Sequence, residues 1–513
     1  MTPVVIVGSG PTGVTAAALL ARYGVPSVVL DRWPDVYPQP RAVHLDDEVH
    51  RILGRLGLAE EFAAISRPAL GLRLLDPGHR VLAEFRRDKP VGVHGYPQAN
   101  MFDQPDLERL LRKHLASLDL VTFRGDVEVE AVEQVAWDRV RVRFTDRRTG
   151  ERETIDAAYV LGADGANSVV RASIGAAMVD LGFEQRWLVV DVETVRDLDA
   201  WEGVHQVCDT HRAATFMRIG ADRYRWEFQL LDGETTDDFD RLERLAPLLA
   251  PWTGSAGTAG LELRRVASYT FRAQVADRWR DRRVLLLGDA AHLTPPFIGQ
   301  GMGAGMRDAH NLAWKLAGVL AGDLEESWLA TYEAERAPHA RTMIGVAVWM
   351  GRAMTAGGRL GDLARNVAAP RVARLPGLRE QIVDGATPPL RVRGRRPAGR
   401  LLPNLEVPGG SRYDATPAAG RFALVTSGAL DQYHRALVEH RGGHVVDTAP
   451  GDPLRDWLES QRVRAALVRP DATVQAAGPS AAALAELLPT FHPTDRTTDR
   501  TTDRTSQGEH AWR

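Results

Sequence analysis

Short apolar runs closed by glycine divide the first 300 or so residues of the chain. Pro3 to Gly8 reads as a strand, an Ala/Leu-rich stretch from about Thr12 to Tyr23 has helical spacing, and Ser27 to Asp31 is apolar again. Gly24 follows the helical stretch, where a residue that tolerates the left-handed region commonly stops a helix. Strand, helix and strand in this order predict a βαβ unit and a parallel α/β sheet. Tyr159 to Leu161 and Val284 to Gly288 repeat the apolar-run pattern. Alternating runs lie before and between these two: Arg73 to Leu75 and Val81 to Phe85, then Trp187 to Val195, Thr215 to Ile219 and Tyr224 to Leu231. Their period of two predicts one antiparallel sheet, built from residues 71–100 and 181–275 and inserted into the α/β unit. A helical zone runs from about Gly301 to Leu320 and continues past Trp328. From about residue 385 to 410 the composition shifts to Pro, Gly and Arg, which marks a linker. Residues 411–488 have a small mixed α/β pattern. The repeat TDRTTDRTTDRTS, Thr494 to Ser506, has no apolar residue and predicts disorder.

Composition narrows the class. The chain has 513 residues, 44% hydrophobic and 26% charged, with a formal net charge of -3. Those values fit a soluble globular protein and give no reason to expect a polyanion or membrane-surface partner. No apolar run reaches the roughly 18 to 20 residues that span a bilayer. Met343 to Met354 comes nearest but contains Arg352. The start of the chain has no basic signal-like segment, so a cytoplasmic location is expected. The single cysteine, Cys208, excludes an internal disulfide, a CxxC redox pair and a cysteine-cluster metal site, and reads as a small buried hydrophobe. No metal site is expected.

Three motifs carry chemistry. Gly8-Ser9-Gly10-Pro11-Thr12-Gly13 follows a strand, opens a helix and precedes Asp31 at the next strand's end. The glycines permit a tight turn and close backbone approach to a pyrophosphate, which the helix's positive end favours, while Asp31 is placed to bind ribose hydroxyls. The second motif, Gly162-Ala163-Asp164-Gly165-Ala166-Asn167-Ser168, sets an acid at a strand end; a simple turn with a helix cap is its plain alternative. The third joins Gly288-Asp289-Ala290-Ala291-His292 through Pro295-Pro296 to Gly299-Gln300-Gly301-Met302-Gly303-Ala304-Gly305. Asp289 could bind a sugar alcohol such as a ribityl chain, and the glycine run would let backbone approach a flat ring, whose negative charge the following helix would stabilise.

In this order and spacing the motifs resemble the class A FAD-dependent aromatic hydroxylases of the para-hydroxybenzoate hydroxylase type. Pro40-Arg41-Ala42, Asp46-Asp47-Glu48, Gln104-Pro105-Asp106-Leu107-Glu108, Trp226-Glu227-Phe228 and Asn311-Leu312-Ala313-Trp314-Lys315-Leu316 are similar to one branch, the 3-(3-hydroxyphenyl)propionate, phenol and 2-hydroxybiphenyl hydroxylases. The likeness covers roughly residues 1–370. It implies a Rossmann-like FAD-binding domain (1–70, 101–180, 276–385), a substrate-binding sheet domain (71–100, 181–275), a thioredoxin-like C-terminal domain (395–490) ending in Leu467-Val468-Arg469-Pro470-Asp471, and a disordered tail (491–513). It also implies that Gly8, Gly10, Gly13 and Asp31 hold the ADP part of FAD, Arg41 and Gln104 lie near flavin and pyrophosphate, and Asp164 serves FAD and the nicotinamide cofactor. Asp289 would meet the ribityl chain, with Gly301, Met302 and Asn311 at the flavin. Asp31 stands where the family more often has Glu.

The implied reaction uses NADPH or NADH as a transient co-substrate, since only one nucleotide fingerprint is present, and O2. A C4a-hydroperoxyflavin then hydroxylates a phenolic ring. An unaided phenol has a pKa near 10, so a base or acceptor beside it helps. His44 is the first candidate and Asp46 the second; His292 reads as structural. Tyr224, Trp226 and Phe228 share one strand face and, with Pro296, are expected to wall the substrate pocket, although plain core explains the three aromatics as well. A tailoring or inactivating monooxygenase acting on a large polyketide or antibiotic is the alternative enzyme, and a flavin-binding protein without activity the alternative of another class. The expected partner is a small aromatic molecule, with no nucleic acid or membrane; a homodimer stays open.

Overall fold

The first βαβ unit forms where its pattern places it. In a computed structural model that describes residues 2–36, 42–355, 387–407 and 410–493, the strand Val4–Val7 leads through Gly8 into the helix Pro11–Arg22 and on to the strand Ser27–Leu30. All four residues of the first strand are buried. It sits inside a six-stranded sheet, paired in parallel with Tyr159–Gly162 on one side and Ser27–Leu30 on the other. A strand buried on both faces needs a continuous apolar run rather than alternation, and that is what VVIV supplies. Val284–Leu286 joins beside Tyr159–Gly162, so the three strands that end in motifs are neighbours and all point the same way. Three glycine-rich turns therefore emerge together at the C-terminal edge of the sheet, where open α/β sheets bind ligands.

A second, eight-stranded sheet takes strands from both alternating segments. Its order runs His292–Leu293, Glu262–Ala276, Met178–Glu193, Arg223–Gln229, Ala214–Arg218, Val204–Val207, Gly71–Leu75 and Val81–Arg86. It departs from a purely antiparallel expectation at one pair, Val204–Val207 with Gly71–Leu75, which runs parallel. One face is covered by the helix Leu242–Thr253 and shares its core with Leu245, Leu249 and Trp252.

The helices Gly301–Ala321 and Ser327–Thr355 follow, the first packed on Pro11–Arg22. At the C-terminal end, Ala423–Thr426, His444–Asp447, Ala465–Val468 and Val474–Gly478 make a four-stranded mixed sheet. Phe491 corrects the expected tail boundary: it is buried against Trp314, Phe422 and Tyr23, because an aromatic side chain gains more from that apolar site than from water. The Thr494 repeat lies outside the described residues. Among those described, no helix is long and apolar enough to cross a membrane.

Candidate active site

The three turns open on one cavity of about 780 Å³. At its nucleotide-like end, Gly8 has φ +100°, and a Cβ there would lie 2.2 Å from the Ala163 carbonyl oxygen, so only glycine fits. Gly13 does not line the cavity; a Cβ on it would lie 2.0 Å from the Gly8 carbonyl oxygen, so its absent side chain seats the helix on the turn. Asp31 accepts from the Ser9 amide (2.6 Å) and hydroxyl (2.5 Å) with one oxygen and from the Trp33 amide (2.8 Å) with the other. The helix Pro11–Arg22 starts without a side-chain cap or an acid in its first turn, and nothing lies within 4 Å of a Cβ built on Gly10. Uncapped N–H groups at a helix's positive end, opening on empty space, fit a phosphate group.

Asp164 and Asp289 line the same cavity. Asp164 accepts from the Ser168 hydroxyl (2.5 Å) and the Val170 amide (3.1 Å), while Ser168 caps the short helix Val169–Ser173. The motif thus forms the capped turn, and its acid lines the cavity. Burial raises the Asp164 pKa. The helix Gly301–Ala321 again begins without a side-chain cap or first-turn acid, and Gly301 and Met302 line the cavity at its start. Gln104 also lines it, accepting from the Ala42 amide at 2.6 Å. Arg41 lies outside the described residues.

Where the eight-stranded sheet closes the cavity, Val189, Val204, Met217 and Phe271, joined by Phe297 and Met350 from helical segments, give apolar lining, while Gln206, Thr215, Arg225 and Glu227 of the same sheet add polar groups. Pro296 lies at the edge. His44 enters this wall from the strand His44–Asp46. Burial, with Arg87 adding to it, lowers the His44 pKa to about 4, so the ring is neutral at pH 7. Its Nδ1 is buried beside the Gly299 backbone, and among the described residues it meets no partner in good hydrogen-bond geometry.

Three expectations need correction. Asp46 is not a base facing the cavity. It is fully buried, caps the helix Asp47–Arg55 through the Val49 amide (3.0 Å), and accepts from Gln300 (2.9 Å) and Arg307 (2.6 Å). Burial pushes its pKa up, but Arg307 and the Val49 amide outweigh that and hold it below the carboxylate range. Tyr224, Trp226 and Phe228 do share a face, but the other one: they pack with Phe216 and Trp252 under the helix Leu242–Thr253. Asn311 is turned away from the cavity, donating to Glu335 (2.9 Å) in a buried cluster with Lys315, Arg469 and Asp471. His292 is structural as expected, buried and bonded to Asp308 at 2.8 Å.

The cavity-facing residues of that aromatic strand are Arg225 and Glu227, which the sequence reading missed. Arg225 grips Asp191 through Nε (2.6 Å) and Nη2 (2.9 Å). The signal was present as charges alternating with aromatics, which on a strand means two buried faces of different character.

A parallel sheet whose edge presents two uncapped helix starts and three acids to one cavity defines a dinucleotide-cofactor protein. The chain belongs to the FAD binding domain family, whose model matches residues 1–347, and so to the FAD-dependent hydroxylases it resembles. It is 36% identical over 510 residues to a probable NADH-specific resorcinol 4-hydroxylase of Rhodococcus jostii (strain RHA1), covering 94% of this chain and 93% of that protein. It is 34% identical to a 3-(3-hydroxy-phenyl)propionate/3-hydroxycinnamic acid hydroxylase of Burkholderia cenocepacia (strain HI2424), covering 83% and 79%. In fold it is similar to the flavin-dependent monooxygenase PieE, solved with FAD and substrate, at TM-score 0.79 and 24% identity over 95% of this chain and 97% of that one.

Proposed function

We propose that this protein hydroxylates a small phenolic ring, using NADH or NADPH and O2, in the chamber between its FAD site and the eight-stranded sheet. The observation that carries this reading is the continuity of the cavity: polar and glycine-rich at Gly8, Asp31 and Asp289, apolar where Val189, Met217 and Phe297 close it. Bound FAD supplies the hydride acceptor and the centre that reacts with O2. Gly8, Gly10 and Asp31 fit its ADP part, Gln104 and Asp164 its middle, and Asp289, Gly301 and Met302 its ribityl and ring end. The apolar wall keeps water from the reacting atoms. The eight-stranded sheet is read as the substrate-binding domain, and the C-terminal four-stranded unit as thioredoxin-like; with Cys208 as the chain's one cysteine it has no redox role.

His44 is the residue we assign to the substrate hydroxyl nearest the flavin. A phenol near pKa 10 and an imidazolium near 4 differ by about 6 units, so full proton transfer would cost about 8 kcal/mol. The ring's role is therefore to accept a hydrogen bond and orient the phenol, not to deprotonate it outright. The test is turnover of the purified holoenzyme with a panel of phenols under ¹⁸O2. One labelled oxygen in the product, with NADH or NADPH consumed, is expected. Label arriving from H2¹⁸O instead, or turnover only with large polycyclic compounds, would overturn the reading.

A further inference from the structure

Three neighbouring strands place Glu227, Thr215 and Gln206 side by side in one row across the eight-stranded sheet, since Thr215 pairs with both others in register. All three line the cavity. The outer two end in acceptors without partners. Gln206 gives its amide nitrogen to the Phe297 carbonyl at 2.6 Å, which fixes the side chain's orientation and leaves its buried Oε1 with no hydrogen bond. Glu227 is 9% exposed; the Arg225 charge acts on its carboxyl, but among the described residues it makes no hydrogen bond or close ion pair. Arg225, two residues away on the same face, spends two guanidinium nitrogens on Asp191, and Arg265 on the far strand also lies near Asp191, at 3.7 Å. Arg87, another cation of the cavity wall, stands beside His44, Asp46 and Asp47.

A buried acceptor left without a donor, as the Gln206 Oε1 is, costs stability, and a ligand that supplies O–H groups to it and to the Glu227 carboxyl removes that cost. Resting on the hydroxylase reading, we propose that Glu227 and Gln206 are the receptor for substrate hydroxyls. The chamber then takes neutral rings bearing two hydroxyl groups in preference to rings bearing a carboxylate tail. A carboxylate brought to this row would meet two acceptors, one of them the Glu227 acid. Burial also raises the Glu227 pKa to about 7, with Arg225 opposing, but both its protonation states keep an acceptor oxygen, so recognition survives across neutral pH.

The experiment titrates holoenzyme with resorcinol and with 3-(3-hydroxyphenyl)propionate and reads the flavin absorbance change, with FAD content and melting temperature as folding controls. Wild-type protein should bind resorcinol more tightly. Glu227→Leu should weaken resorcinol roughly 10- to 100-fold, while the propionate loses little. Glu227→Gln, which keeps an acceptor oxygen, should lose distinctly less than Glu227→Leu. Gln206→Met gives a second, independent loss should Glu227→Leu fail to fold. Resorcinol binding within threefold of wild type in a flavin-replete Glu227→Leu protein, or tighter wild-type binding of the propionate, overturns the proposal while leaving the hydroxylase reading intact. A wild-type protein that incorporates no oxygen into any phenol overturns both.

Discussion

Replacing Arg469 by methionine tests how the C-terminal unit is held to the FAD-binding part. Arg469 donates to both Glu335 oxygens at 2.7 and 3.0 Å and to Asp471 at 2.9 Å, and Lys315 meets Glu335 at 2.9 Å. These side chains are at most 6% exposed. Two cations and two anions balance; without Arg469 a net negative charge stays buried beside one ammonium. At an effective dielectric of about 20, one charge pair at 4 Å is worth about 4 kcal/mol, and breaking buried pairs costs about 3–5 kcal/mol. Methionine fills most of the space, so the loss is electrostatic rather than a cavity. Arg469→Met should therefore lower the first urea-unfolding transition by about 3–5 kcal/mol, followed by circular dichroism and by FAD release. Adding Glu335→Gln restores neutrality and should recover at least about half of the loss, an interaction the double-mutant cycle measures directly. A loss below about 1 kcal/mol for the single variant, or no recovery in the double, would refute the reasoning.

Acidification should act on the same cluster. Burial pushes the Glu335 pKa up, but Arg469 and Lys315 outweigh it and hold it at about 2, against an ordinary 4.5. This lowered pKa gives stability that is complete above about 4.5 and is lost as pH falls toward 2, visible as a falling melting temperature that Glu335→Gln flattens. Gly13→Ala forces a Cβ against the Gly8 carbonyl oxygen and should weaken FAD by roughly 5- to 150-fold, read as lost absorbance near 450 nm; full flavin occupancy would contradict the packing role. Asp46→Ala removes a helix cap and the partner of Arg307, so it should cost about 3–5 kcal/mol of stability. Lost turnover at unchanged stability would return Asp46 to the chemistry. Trp226→Ala should cost about 3–5 kcal/mol with substrate affinity moved less than about threefold, measured by melting and by ligand titration.

Local pattern made the glycine-rich end of the cavity legible. The Gly13 clash with Gly8, acids at strand ends and helix starts without caps are properties of neighbouring residues, whereas the clash that fixes Gly8 comes from Ala163 on the adjoining turn. They point correctly to one cavity at Gly8, Asp31, Asp164 and Asp289. The far end depends on which side of a sheet a strand turns to the cavity. Period two showed that Tyr224, Trp226 and Phe228 share a side, but the helix Leu242–Thr253, distant in sequence, decides which side is filled by protein. Asp46 and Asn311 failed for a related reason. Their partners, Arg307 and Gln300 for one, Glu335 and Asp471 for the other, come from 24 to 261 residues away. His44, which lines the cavity, was singled out because its segment resembles one that the family places near the flavin.

The strand Arg223–Gln229 has a consequence for how such a protein diversifies. Adjacent codons address opposite surroundings, one set packing the core under the helix Leu242–Thr253 and the other lining the cavity. If position 227 selects ligands as proposed, changes there can explore new ones while 224, 226 and 228 hold the scaffold constant, whereas 225 is itself tied to the fold by its buried pair with Asp191. Inserting or deleting a single residue there would swap the two roles at once, so drift along this stretch must proceed by replacement rather than by change of length.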